Sequence, residues 1–138
     1  MKRFVLGGLV AAAIAAATVP TTAHHSFAAE FDASKPITLT GIVTKVEWTN
    51  PHVWFYINVK DAATGEVTNW GAEMGPPHGL QRRGWRRETL KIGEEVTVAG
   101  SLAKNGSKRM NARNVTMKAT GAAPGATLDA NSSEGTNP

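Results

Sequence analysis

An all-β fold, a small five-stranded OB-like barrel with a short helical insertion between strands 3 and 4, is predicted by three features of the sequence. β-Branched and aromatic residues recur with a period of two in five short segments. Turn residues (Asn-Pro, Asn-Gly, Thr-Gly) separate these segments, and one stretch between the third and fourth carries helical spacing instead. That order matches an OB-type barrel, whereas a β-sandwich needs more strands than are present.

The first strand opens at Ile37, after an arm over residues 24–36, and runs to Trp48. Its apolar positions change parity at Gly41, which predicts a β-bulge there: Ile37 and Leu39 stand before it, Ile42, Val46 and Trp48 after it. Asn50-Pro51 turns the chain, because proline fixes its own φ and moves the preceding residue out of the helical region. In the second strand Val53, Phe55, Ile57 and Val59 share one face, and His52, Trp54, Tyr56 and Asn58 the other. The first set reads as core. Trp54 and Tyr56 combine aromatic surface with polar tips, which suits a ligand- or partner-binding face, although rings under a loop would look the same.

Asp61–Glu66 is a hairpin loop into the third strand, Val67–Met74, which Gly75-Pro76-Pro77 stops. His78–Leu90 reads as helix or helical turns, with Leu80 and Trp85 inward, arginines outward and Gly84 weakening its continuity. Glu95–Leu102 and Lys108–Lys118 are the fourth and fifth strands, joined by Lys104-Asn105-Gly106-Ser107, with Met110, Ala112, Val115 and Met117 inward in the fifth. The barrel domain thus spans residues 37–118. Residues 119–138 are dominated by Gly, Ala, Asn, Ser, Thr and Pro and are expected to be a disordered tail.

Residues 1–23 have the form of a secretory signal peptide: Lys2-Arg3, an apolar run from Phe4 to Val19, then small residues at Thr21 and Ala23. The run is short for a bilayer span and rich in alanine and glycine, so the expectation is cleavage, a periplasmic location and no transmembrane segment afterwards. The absence of cysteine excludes disulfides, thiolate metal sites and a cysteine nucleophile. Loss of Lys2 and Arg3 leaves 13 basic residues against 11 acids, so the net charge falls from +4 to +2. So small an excess, on an exported chain, argues against nucleic acid as partner.

His24-His25-Ser26-Phe27, Thr49-Asn50-Pro51-His52, Gly75-Pro76-Pro77, Gly84-Trp85 and Lys91-Ile92-Gly93-Glu94 resemble, in this order, the motifs of a family of small exported bacterial proteins classed as a domain of unknown function. The resemblance runs from His24 to Met117. It implies a periplasmic OB-like domain and no activity.

The histidines carry the metal chemistry that the sequence offers. Cleavage after Ala23 makes His24 the first residue, so a free α-amine and an imidazole can chelate together; cleavage before Ala23 makes His25 the third residue, which permits a square-planar all-nitrogen site. Both donor sets favour Cu(II). His52 and His78 are candidates to complete the site, giving His24, His25, His52 and His78 as metal-ligating residues. Arg82, Arg83, Arg86 and Arg87 bracket Trp85 and read first as a solvated helix face anchored by Trp85; Arg82, Arg83, Trp85 and Arg86 are the second candidate binding patch, for an acidic glycan or a periplasmic protein partner. Nucleophile-elbow, phosphate-loop and zinc-helix motifs are absent, so a binding module rather than an enzyme is expected.

Overall fold

The computed structural model describes residues 27–119 and 125–131, which form mostly antiparallel β-structure. In chain order the elements are α1 (Phe27–Glu30), β1 (Phe31–Glu47), β2 (Trp54–Lys60), β3 (Val67–Glu73), α2 (Pro77–Arg82), β4 (Glu95–Ala103), β5 (Arg109–Met117) and β6 (Thr127–Asp129). The strands are hydrogen-bonded in the order β3-β2-β1-β4-β5-β6, and β3 also pairs with β5, in parallel, through Gly71↔Arg109, Ala72↔Met110 and Glu73↔Asn111. β5 gives β4 one edge along most of its length, and offers the other first to β3 and then to β6.

The core follows from alternation. Phe55 and Ile57 of β2, Trp70 and Ala72 of β3, Val96 and Val98 of β4, and Met110, Ala112 and Val115 of β5 are buried on one side. Leu80 on α2 and Trp85 just after it close this core, both fully buried as expected. Proline is tolerated in the first turn of α2, where its missing N–H has no helical acceptor. The helix ends at Arg82 rather than continuing to Leu90, and Gly84 takes a φ of 95° just beyond it. Among the described residues no helix is long and apolar enough to cross a membrane.

Three expectations need correction. The bulge in β1 lies at Thr44, not Gly41: the register with β2 passes from Val43↔Ile57 to Lys45↔Tyr56. Val43 therefore still points inward, and Ile42, expected with the inward set, is 39 % exposed. Gly41 serves a close approach instead, since a Cβ there would lie 2.5 Å from the Asn58 carbonyl oxygen. The arm is also shorter than expected, because β1 begins at Phe31; a local irregularity between Asp32 and Pro36 interrupts its pairing with β4. There the Asp32 carboxylate accepts from the Ser34 N–H and hydroxyl.

The third correction concerns the tail. Residues 127–129 form β6, paired to Asn114, Val115 and Thr116 of β5, and Ala130 is fully buried. The Trp85 indole N–H donates to the Asp129 carbonyl at 2.7 Å, and the Gly75 N–H to the Ala130 carbonyl at 3.1 Å. Backbone hydrogen bonds, not an apolar pattern of its own, hold this segment.

Candidate functional site

The outward positions of β1, β2, β3 and β5 line up in two rows. Lys45, Tyr56, Gly71 and Arg109 make one, and Glu47, Trp54, Glu73 and Asn111 the other. Gly71 is the floor beneath the rings: a Cβ there would stand 3.2 Å from Tyr56 and 3.7 Å from Trp54. A Cβ there would meet Trp54 at ordinary contact distance and would press Tyr56 outward by a few tenths of an ångström. Trp54 and Tyr56 are half-buried.

Cations cover the rings. The Arg109 guanidinium sits 4.4 Å from the centre of the Trp54 ring, and the Lys45 ammonium 5.5 Å from that of Tyr56. The Tyr56 hydroxyl donates to Glu47 at 3.2 Å, and Lys45 pairs with the same carboxylate at 2.5 Å. The hydrogen bond from Lys45 holds the Glu47 carboxyl below its ordinary range, and the Lys45 ammonium is stabilised upward in return. Burial, and then the charge of Glu47, raises the Tyr56 phenol.

His52 extends this face beyond β2. Hydrogen bonds from Val53 N–H to Gly75 carbonyl (3.1 Å) and from Met74 N–H to Val53 carbonyl (2.8 Å) carry the pairing one step past the strands. Trp54 lies opposite Glu73, which makes His52 a diagonal neighbour of Glu73 on the same side. Its Nδ1 stands 3.1 Å from Glu73 Oε1, with the two side chains 23 % and 9 % exposed. Burial raises the Glu73 carboxyl to about 7; the charge of Glu30 pushes it the same way, and Arg109 pulls it back.

Glu30 belongs to α1 and lines a cavity together with Arg109, so the start of the described chain borders this face. Phe27 and Phe31 stack with ring centres 5.9 Å apart, and the Lys104 N–H donates to the Glu30 carbonyl at 2.8 Å. The Lys104 ammonium bonds the Ala28 carbonyl as well. Between α1 and the β4–β5 turn lies a small cavity of about 160 Å³, lined in part by Glu30, Phe31, Lys104, Ser107 and Arg109.

Of the candidate metal ligands, His52 is on this face, and His78 is exposed on α2. His24 and His25 lie outside the described residues. Among the described residues no three His, Asp or Glu side chains are grouped so as to hold a metal ion. The second patch keeps its arginines at the surface and has Trp85 as its core anchor. Trp85 is fully buried and cannot stack on a ligand. Arg83 donates to the Asn131 carbonyl at 2.7 Å and Arg86 to the Trp85 carbonyl at 2.8 Å, while both, like Arg82, are exposed.

Sequence reasoning missed Arg109 and Glu30. The parity of Met110 and Ala112 already turns Arg109 outward, but its place over Trp54 depends on the parallel β3–β5 pairing, which no local pattern encodes.

The chain belongs to DUF6152, a family of unknown function, whose model matches residues 11–112. No curated protein matches it.

Proposed function

We propose that this protein is an exported, periplasmic binding module on a five-stranded barrel of the OB type, and that it takes Cu(II) on the histidines of its mature N terminus together with His52. Closure of the pairings through β1, β2, β3, β5 and β4 back to β1 supports the barrel. The lysine–arginine pair and apolar run of residues 1–23 support export.

One observation carries the copper reading: Glu30 of α1 lines a cavity with Arg109, which covers Trp54 on the face where His52 stands 3.1 Å from Glu73. The chain that leads into α1 therefore leads to a positioned imidazole. His25 is two residues before Phe27, and two residues of extended chain span at most about 7 Å. An α-amine and imidazoles form the nitrogen-rich set that Cu(II) prefers. The carboxylates of Glu30 and Glu73 nearby favour a cation over an anion. His78, exposed on α2, takes no part in this reading.

Intact-mass and native mass spectrometry of the exported protein, with and without Cu(II), test it together. The expected result is a start at Ala23 or His24 and one copper per chain. A chain that keeps residues 1–19, or takes up copper without a defined stoichiometry, contradicts it.

The half-exposed Trp54 and Tyr56 over Gly71, beside Arg109, favour a second use of the same face. An acidic glycan or a protein partner would stack on the rings and pair with Arg109.

A further inference from the structure

We propose that the groove between the outer edge of β5 and the turn after α2 is a peptide-binding site. In this structure the chain's own residues 126–131 hold it, and a partner protein enters it with an extended, acidic segment that displaces them. This site is independent of the copper reading, since it uses neither the histidines nor the rings of Trp54 and Tyr56.

The groove addresses main chain. Met117 N–H donates to the Ala126 carbonyl at 2.9 Å, Gly75 N–H to the Ala130 carbonyl at 3.1 Å, and the Trp85 indole N–H to the Asp129 carbonyl at 2.7 Å. The Arg83 guanidinium donates to the Asn131 carbonyl at 2.7 Å, and the Arg113 carbonyl accepts from the Ala130 N–H at 2.8 Å. These host groups come from β5, the loop after β3 and the turn after α2, and they meet atoms that any extended chain carries. Side chains are read in alternation. Ala130 is fully buried and Leu128 packs partly buried against the core, while Thr127 and Asp129 are exposed. Gly75 keeps the passage open, because a Cβ there would stand 2.7 Å from the Asn131 carbonyl oxygen.

Two observations point to an exchangeable occupant. The segment commits little side-chain surface, one alanine fully and one leucine in part, so its release exposes little apolar area and belongs to the low end of local opening free energies. It also leaves much of the host's charge unmatched. Asp129 is the single carboxylate of the segment, 3.9 Å from Arg83, whereas Arg82, Arg83, Arg86 and Arg87 are all exposed on either side of buried Trp85. An extended segment with a small residue at the Ala130 position and further carboxylates beside it complements those arginines better. Tethering sets the threshold. Nine residues separate Met117 from Thr127, and a short connection gives an effective concentration on the order of mM. A partner must exceed that with contacts the tethered segment lacks, and the exposed arginines offer them.

The probe is a synthetic peptide with the sequence of residues 127–131 between two pairs of glutamates, added to the full exported chain; its control carries glutamines in their place. Binding is read by ¹H–¹⁵N NMR at the Trp85 indole N–H and at the Gly75 and Met117 amides. In the wild type the peptide should shift these signals at about mM concentration. The control should act about 5-fold more weakly, and the Arg82→Ala/Arg83→Ala double variant should bring the two peptides within about 2-fold of each other. In Ala130→Glu, whose side chain does not fit the buried position, the tethered segment should leave and the Gly75 and Met117 amides should exchange faster. Added peptide should then restore their protection at a concentration at least about 10-fold lower than in the wild type. If circular dichroism shows that Ala130→Glu does not fold, the wild-type titration decides. Wild-type signals that do not move at about 10 mM peptide overturn the proposal. Equal action of the peptide and its control overturns the acidic assignment. Signals that follow dimerisation of the chain, and not added peptide, make residues 126–131 of a second copy the occupant and overturn the partner assignment.

Discussion

Replacing Glu73 by Gln should stabilise the protein at alkaline pH and leave it unchanged in acid. The Glu73 carboxyl is raised from 4.5 to about 7, first by burial and then by the charge of Glu30. The folded state therefore binds its proton more tightly than the unfolded chain, and the sign follows. Its contribution to stability is fully present below pH 4.5, where both states are protonated, and is lost as pH rises through about 7. A displacement of that size corresponds to about 3 kcal/mol. It is a ceiling, because solvent beside the partly buried carboxylate screens its charge. Gln keeps the volume and the acceptor oxygen while removing the charge. Urea unfolding of wild type and Glu73→Gln, from pH 4.5 to pH 8.5, measures the difference directly. The two stabilities should coincide at the acid end and separate by up to about 3 kcal/mol in favour of Gln by pH 8. A difference that does not change with pH, or that grows toward acid, would refute the reasoning.

Two further outcomes follow from the packing. Trp85→Phe removes the indole N–H that serves the Asp129 carbonyl and should cost about 1–3 kcal/mol, with faster amide exchange confined mainly to β6 and its neighbours on β5; equal protection of β6 in both proteins would contradict that anchoring role. Phe55→Ala, in the fully buried core, should cost about 3–5 kcal/mol, whereas Trp54→Ala, on the outer face under Arg109, should cost only about 1 kcal/mol while weakening any partner that uses the rings; an equal loss for both in chemical denaturation would place Trp54 with the core.

The core was legible because alternation is a local property. Phe55 and Ile57 inward, Trp54 and Tyr56 outward, and Leu80 and Trp85 inward can all be read from neighbouring residues. The bulge was placed three residues early because glycine at a parity change has two explanations. Gly41 answers to the Asn58 carbonyl beside it, and the extra residue falls at Thr44, whose identity carries no such signal. Strand β6 was invisible for a different reason: Thr127–Asp129 is held by the β5 backbone and by the indole of a residue more than forty positions away. The site divides in the same way. His52, Trp54 and Tyr56 announced themselves by alternation, but Arg109 and Glu30 reach them only through the β3–β5 pairing and the docking of α1. The arginines around Trp85 looked like a patch in one dimension; in three, Arg83 and Arg86 also bind backbone carbonyls.

The proposed copper site at the mature N terminus is tested most directly by electron paramagnetic resonance of the exported protein with one equivalent of Cu(II), set beside the His24→Ala/His25→Ala double variant under the same conditions. The account predicts a nitrogen-rich spectrum in the wild type, lost in the double variant together with high-affinity uptake, and weakened on acidification as the amine and imidazoles take up protons. Identical spectra and equal Cu(II) affinity in the two proteins would contradict it.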